Sequence, residues 1–181
     1  SGPALGAWPV GRVYTMQTHH IRNLDELDKF ARAFAESLKG GDVIGLVGEL
    51  GAGKTSFVQR LAAAIGVKEE VRSPTFVLMR AYDTGRTART SGGSRISRPR
   101  RDSGMTYRAG AISHLCHVDA YRLKDEAEMG ERGITEYLGK PDTVTVIEWA
   151  DRVPAVHALP TYREITFLFG EKYERILNIE R

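Results

Sequence analysis

The sequence predicts an α/β fold, a single domain in which helices pack on a central β-sheet, closed by a C-terminal β-hairpin. Three observations predict it. An apolar run at 42–47 leads directly into a glycine-rich loop and then an amphipathic helix, so strand, loop and helix follow in that order. Further β-rich runs at 75–82, 115–121 and 143–149 are interspersed with segments of helical character. The chain ends with period-two alternation at 163–169 and 175–179 about a short Gly170-Glu171-Lys172-Tyr173 loop.

Each element has its own signal. Leu24, Leu27, Ala31, Phe34, Ala35 and Leu38 recur at helical spacing; Asn23 suits the cap, Asp25 and Glu26 complement the dipole, and Gly40-Gly41 ends the helix. At 42–47, Val43, Ile44, Leu46 and Val47 surround Gly45 with no polar alternation, as in a strand buried on both faces. From Lys54 onward, Phe57, Val58, Leu61, Ala62 and Ile65 form an apolar helical face that Gly66 stops. The stretch 125–138 is polar and helical in character despite Gly130 and Gly133. No repeat of solenoid period and no heptad seam is present.

With 181 residues, 41% of them hydrophobic, the chain can bury one sizeable core. Its longest apolar runs fall far short of the roughly 20 residues that cross a bilayer, so no membrane role is expected. The first ten residues show no secretory pattern and Ser1-Gly2-Pro3 has the look of an expression scar, so a cytoplasmic location is expected. The single cysteine, Cys116, has no partner for an intrachain disulfide or a thiolate metal site; a small buried residue in a strand is expected. The net charge of +3 is local in origin. The segment at about 84–113 holds seven Arg and one Asp, leaving 19 Lys+Arg against 22 Asp+Glu elsewhere. Rich in Arg, Gly and Ser and poor in apolar residues, it is expected to be a mobile insertion. Residues 1–19 read as a partly flexible N-terminal extension and 20–181 as the domain.

The chemistry centres on Gly48-Glu49-Leu50-Gly51-Ala52-Gly53-Lys54-Thr55. A polyphosphate needs several donors converging on closely spaced oxygens, and glycines let successive backbone N–H groups turn inward unobstructed. Lys54 then brings a cation to the β- and γ-phosphates, and the Thr55 hydroxyl, in the first helical turn, can ligate Mg²⁺. A magnesium nucleotide also calls for an acid at a strand end. Glu148, closing the β-branched run 143–147, is one candidate; Asp119, closing 115–118, is another and could orient or deprotonate an attacking water. For both, a solvated strand-end carboxylate is the plain alternative. Trp149 suits stacking or core packing, and His117 reads more readily as a structural histidine.

Four blocks in order carry a resemblance: the loop extended to Ser56-Phe57, Ser73-Pro74-Thr75-Phe76, His117-Val118-Asp119-Ala120-Tyr121-Arg122-Leu123, and Val146-Ile147-Glu148-Trp149. From residue 20 onward the chain resembles the TsaE (YjeE) ATPases. The resemblance implies a P-loop NTPase domain with a mixed sheet. It also implies Mg²⁺-dependent ATP hydrolysis, weak without partners, in the formation of N6-threonylcarbamoyladenosine in tRNA. TsaB- and TsaD-like proteins are the implied partners. Carried over, Thr55 and Glu148 would bind Mg²⁺, with Lys54, Asp119 and Glu148 catalytic. Glu49, Leu50, Gly51, Ala52, Gly53, Lys54, Thr55 and Ser56 would hold ATP, joined by Ser73, Thr75 and Trp149. Ser73-Pro74-Thr75 matches a switch-like segment sensing the γ-phosphate; read from the residues alone, a strand-entry turn is equally good.

Two departures from the family stand out. The Arg-rich insertion is longer than the usual connection and, lying beside the aspartate strand, could cover or extend the active face. The first helix offers Leu27 about where the family has a threonine, which leaves the adenine contacts unassigned. Two other classes of function compete. A small-molecule kinase shares the loop but needs a lid with clustered arginines around an acceptor pocket. A nucleic-acid-binding module would use Arg86, Arg89, Arg95, Arg98, Arg100, Arg101 and Arg108 on phosphates, so that tRNA is a direct contact only if the insertion is more than a solvated loop.

Overall fold

The structure, a computed structural model, describes residues 16–85 and 112–180. Among these described residues, seven strands form one sheet: β1 (Met16–Ile21), β2 (Val43–Gly48), β3 (Met79–Asp83), β4 (His114–Asp119), β5 (Thr143–Glu148), β6 (Tyr162–Phe169) and β7 (Arg175–Glu180). Their order is β1-β7-β6-β2-β5-β4-β3. The central four, β6, β2, β5 and β4, are parallel, and the antiparallel strands lie outside them. The expected mixed sheet and terminal hairpin are both present.

The helices α1 (Leu24–Glu36) and α2 (Lys54–Ile65) cover one face. Their apolar stripes meet Ile44, Leu46, Val144, Val146, Ile165 and Phe167 in the larger core, where Phe30, Phe34, Phe57 and Phe167 are in ring contact. The opposite face of the central strands packs under α3 (Glu126–Glu131) and short 3₁₀ turns around Met129, Ile134, Ile147, Val153 and Val156. Cys116 is buried there, and burial pushes its thiol up to about 12.

Some elements differ from expectation. Met16–Ile21, including residues assigned to the extension, pair with β7 as an edge strand; the polar sequence MQTHHI gave no apolar signal. The β3 strand begins only at Met79, because Pro74 starts a turn in which Val77 and Leu78 both donate to its carbonyl and Leu78 takes φ 65°. β4 stops at Asp119, whose carboxylate accepts from the Tyr121 N–H and starts a 3₁₀ turn. The helix expected at 125–138 is cut to six residues: Gly133, at φ 71°, redirects the chain into a 3₁₀ turn at Ile134–Tyr137. Most of the insertion, residues 86–111, lies outside the described residues.

Candidate active site

The C-terminal ends of β2, β4 and β5 lie side by side, so three sequence-distant segments converge where α2 begins. In the parallel register Asp119 stands opposite Glu148, and Leu46 opposite Glu148 on the other side. Ligand sites of open α/β sheets occur at such ends.

The two long helices begin in different ways. At α1 the Asn23 side chain accepts from the Glu26 N–H at 2.9 Å, while Glu26 accepts from the Arg22 N–H at 2.8 Å. At α2 the cap is Gly53, in the left-handed conformation (φ 104°), with no side-chain cap and no acid in the first turn. The donors and positive end of α2 are therefore left for an external anion.

Lys54 is buried and donates to the carbonyls of Gly48 at 2.6 Å and Glu49 at 2.9 Å. Its ammonium lies 3.8 Å from the centroid of the Trp149 ring. Burial lowers its pKa, opposed by the charges of Glu148, Asp151 and Asp119. The Thr55 hydroxyl is 2.9 Å from each oxygen of Glu148. The other oxygens of the site are also engaged. Asp119 Oδ2 accepts from Thr75 Oγ1 at 2.5 Å and Ser73 Oγ at 3.3 Å, and Oδ1 from the Tyr121 N–H at 3.0 Å. Asp119 and Glu148 are 4% and 3% exposed, so neither is a solvated strand-end acid.

A cavity of about 330 Å³ opens onto Leu50, Gly51, Gly53, Lys54, Thr55, Ser56, Ser73, Thr75, Asp119, Tyr121, Glu148 and Trp149. Most of the residues read from the sequence are thus brought together. Glu49 contributes its carbonyl to Lys54, and Ala52 is buried facing the other side of the loop. On that side a second cavity, about 310 Å³, shares Gly51, Gly53 and Ser56 with the first. Ile21, Leu24, Leu27, Phe167 and Leu177 give it apolar walls; Asn23, Tyr173 and Arg175 add polar groups. Leu27, which stands about where the resemblance would place a threonine, lies on this cavity, and its lining comes from four separated segments of the chain. His117, expected as a structural histidine, is fully buried with its Nε2 2.8 Å from Glu148 Oε1. Its adjacency to Glu148 follows only from strand register.

Among the described residues, no group of three or more His, Cys, Asp or Glu could hold a metal ion unaided. Thr55 and Glu148 instead present a hydroxyl and a carboxylate together, which fits a magnesium ion whose other ligands come from phosphate and water. Among the same residues, no helix is long and apolar enough to cross a membrane.

Fold and site together define a P-loop domain of the nucleotide-binding α/β class. The family model "Threonylcarbamoyl adenosine biosynthesis protein TsaE" matches residues 21–91 and 103–177, and the chain belongs to the TsaE family. It is similar to the tRNA threonylcarbamoyladenosine biosynthesis protein TsaE of Bacillus subtilis, 31% identical over 166 residues, covering 85% of this chain and 87% of that protein. The protein of the same name from Aquifex aeolicus is 36% identical over 134 residues, covering 73% and 75%. The crystal structure of Bacillus subtilis YdiB shares the fold, with a TM-score of 0.62 at 24% identity over 94% of this chain and 88% of that one.

Proposed function

We propose that this protein binds and hydrolyses Mg-ATP in the cytoplasm to drive or reset a complex with TsaB- and TsaD-like partners that forms N6-threonylcarbamoyladenosine in tRNA. The observation that carries the catalytic reading is the contact of Thr55 with Glu148 at the uncapped start of α2, with Asp119 alongside. Two carboxylates face one ammonium here, an excess of negative charge that a polyphosphate tolerates only with a cation.

In this reading the phosphates occupy the cavity on the Lys54 side, and the nucleoside the more apolar cavity across the loop. Thr55 and Glu148 would hold Mg²⁺, which when bound neutralises charge on the β- and γ-phosphate oxygens. Lys54 and the loop N–H groups stabilise charge on the transferring phosphoryl group; positioning and electrostatics carry most of such reactions. Asp119 orients the attacking water, and Ser73 and Thr75, which share its Oδ2, report whether the γ-phosphate is present. Trp149 limits the positions open to the Lys54 ammonium.

Magnesium-dependent ATP hydrolysis, measured with and without TsaB- and TsaD-like proteins and tRNA, tests the reading. Turnover that rises with the partners and is lost in Lys54→Ala and Glu148→Ala is expected. Absent ATP binding, or turnover indifferent to partners, would reject it.

A further inference from the structure

We propose that His117 is a positioning residue that fixes the orientation of the Glu148 carboxylate and reserves its Oε2 for the cation. The proposal rests on the Mg-ATP reading above.

His117 lies on β4 and Glu148 on β5, on the sheet face toward α2. The register pairs His117 with Val146 and Asp119 with Glu148, so the two are diagonal neighbours, a distance long side chains span. His117 is fully buried, and its Nε2 sits 2.8 Å from Glu148 Oε1. A carboxylate accepts hydrogen bonds, so Nε2 carries the proton. The other ring nitrogen points the same way: Nδ1 is buried without a hydrogen-bond partner. A proton moved there would be an unsatisfied buried donor, and the Nε2 lone pair would then face the carboxylate.

The consequence concerns which carboxylate oxygen is free. The Thr55 hydroxyl lies 2.9 Å from both oxygens and does not distinguish them. Among the described contacts, His117 alone does. With the Thr55 oxygen on a cation, Oε1 would keep the His117 donor while Oε2 would have none, leaving Glu148 one oriented, unoccupied oxygen to offer. Partners of this kind behind a metal ligand characteristically change affinity by 10–100-fold when removed.

Mn²⁺ binding to the full chain in the presence of ADP, followed by electron paramagnetic resonance, tests this directly. His117→Leu is expected to weaken Mn²⁺ binding about 10-fold or more, with ADP affinity in EDTA unchanged. His117→Gln, whose amide nitrogen reaches the Nε2 position, is expected to recover most of the loss. His117→Asn, whose amide reaches only the Nδ1 position, is not. Long-range ¹H–¹⁵N spectra of the unaltered protein should show the Nε2–H tautomer, a readout that needs no variant. A folded His117→Leu protein with parental Mn²⁺ affinity would overturn the proposal. So would equal affinities in the Gln and Asn variants, or an Nδ1–H tautomer. Absence of Mn²⁺ binding by the unaltered protein with ADP would reject the metal reading itself, and this inference with it.

Discussion

Lys54 and Glu148 bring opposite charges to the candidate site. Lys54 has given up part of its hydration and meets carbonyls and an aromatic face, all weaker partners than a phosphate. Glu148 holds the opposite charge, two donors away from solvent. Glu148→Gln should therefore remove the gain in nucleotide affinity that Mg²⁺ gives, while binding in EDTA stays within about 3-fold, a difference under about 1 kcal/mol. Calorimetric titration with and without Mg²⁺ checks this. Lys54, Thr55 and Glu148 were legible in the sequence because motif spacing and strand-end position mark them. The contact of His117 with Glu148 was not, because a histidine inside an apolar strand carries no mark of which neighbour the register gives it.

At the scale of elements, close approach and cross-strand pairing set the tolerances. Gly45, in the centre of β2, has no room for a side chain: a Cβ there would collide with the Tyr162 hydroxyl and Ala150. Gly45→Ala is expected to destabilise by about 1–3 kcal/mol in denaturant unfolding, the usual cost of overpacking. On β6 and β7, Glu164 and Glu180 stand directly opposite each other. Burial first, then Glu164, raises the pKa of Glu180 above its ordinary 4.5, with His157 opposing. A carboxyl raised in the folded state favours folding most below its unfolded pKa, and that contribution is lost as pH rises through the folded pKa. Glu180→Gln should thus gain about 0.5 kcal/mol at pH 7, a like-charge cross-strand penalty removed. The gain should vanish below pH 4.5 in parallel unfolding curves. β2, α2 and β5 were readable because burial and periodicity agree in them. β1 and the shortened α3 were not: one depends on pairing with β7 and the other on a single glycine turn.

For the whole molecule, the polarity of the sheet separates the described ends of the insertion from the site. The described ends of the insertion are joined by Thr84, whose N–H donates to the Ser113 carbonyl at 2.9 Å and whose hydroxyl donates to that of Ile112 at 2.7 Å. They meet at the start of β4, whereas Asp119 is at its end, roughly 17 Å away at the strand rise of about 3.3 Å per residue. The stem of the insertion therefore does not emerge on the active face. Replacing 86–111 with a short glycine linker should leave Mg-nucleotide affinity within about 2-fold, a change of about 0.4 kcal/mol. Nucleotide-dependent shifts in melting temperature check this. A larger loss would mean that the insertion reaches back to the site.

The sequence by itself determined the phosphate loop, the helix that begins there, the strand-end acids and the terminal hairpin. Each depends on local spacing: glycines where N–H groups must turn inward, apolar residues at the helical or strand period, an acid where a β-branched run ends. The tertiary structure decided which of these residues meet. Strand order and register put Asp119 beside Glu148, folded Ser73 and Thr75 onto Asp119, brought His117 against Glu148 and placed the described ends of the insertion at the opposite end of β4. The hydrogen bonds of Glu148 span 31 residues to His117 and 93 to Thr55, and local periodicity holds no information about pairing over such distances.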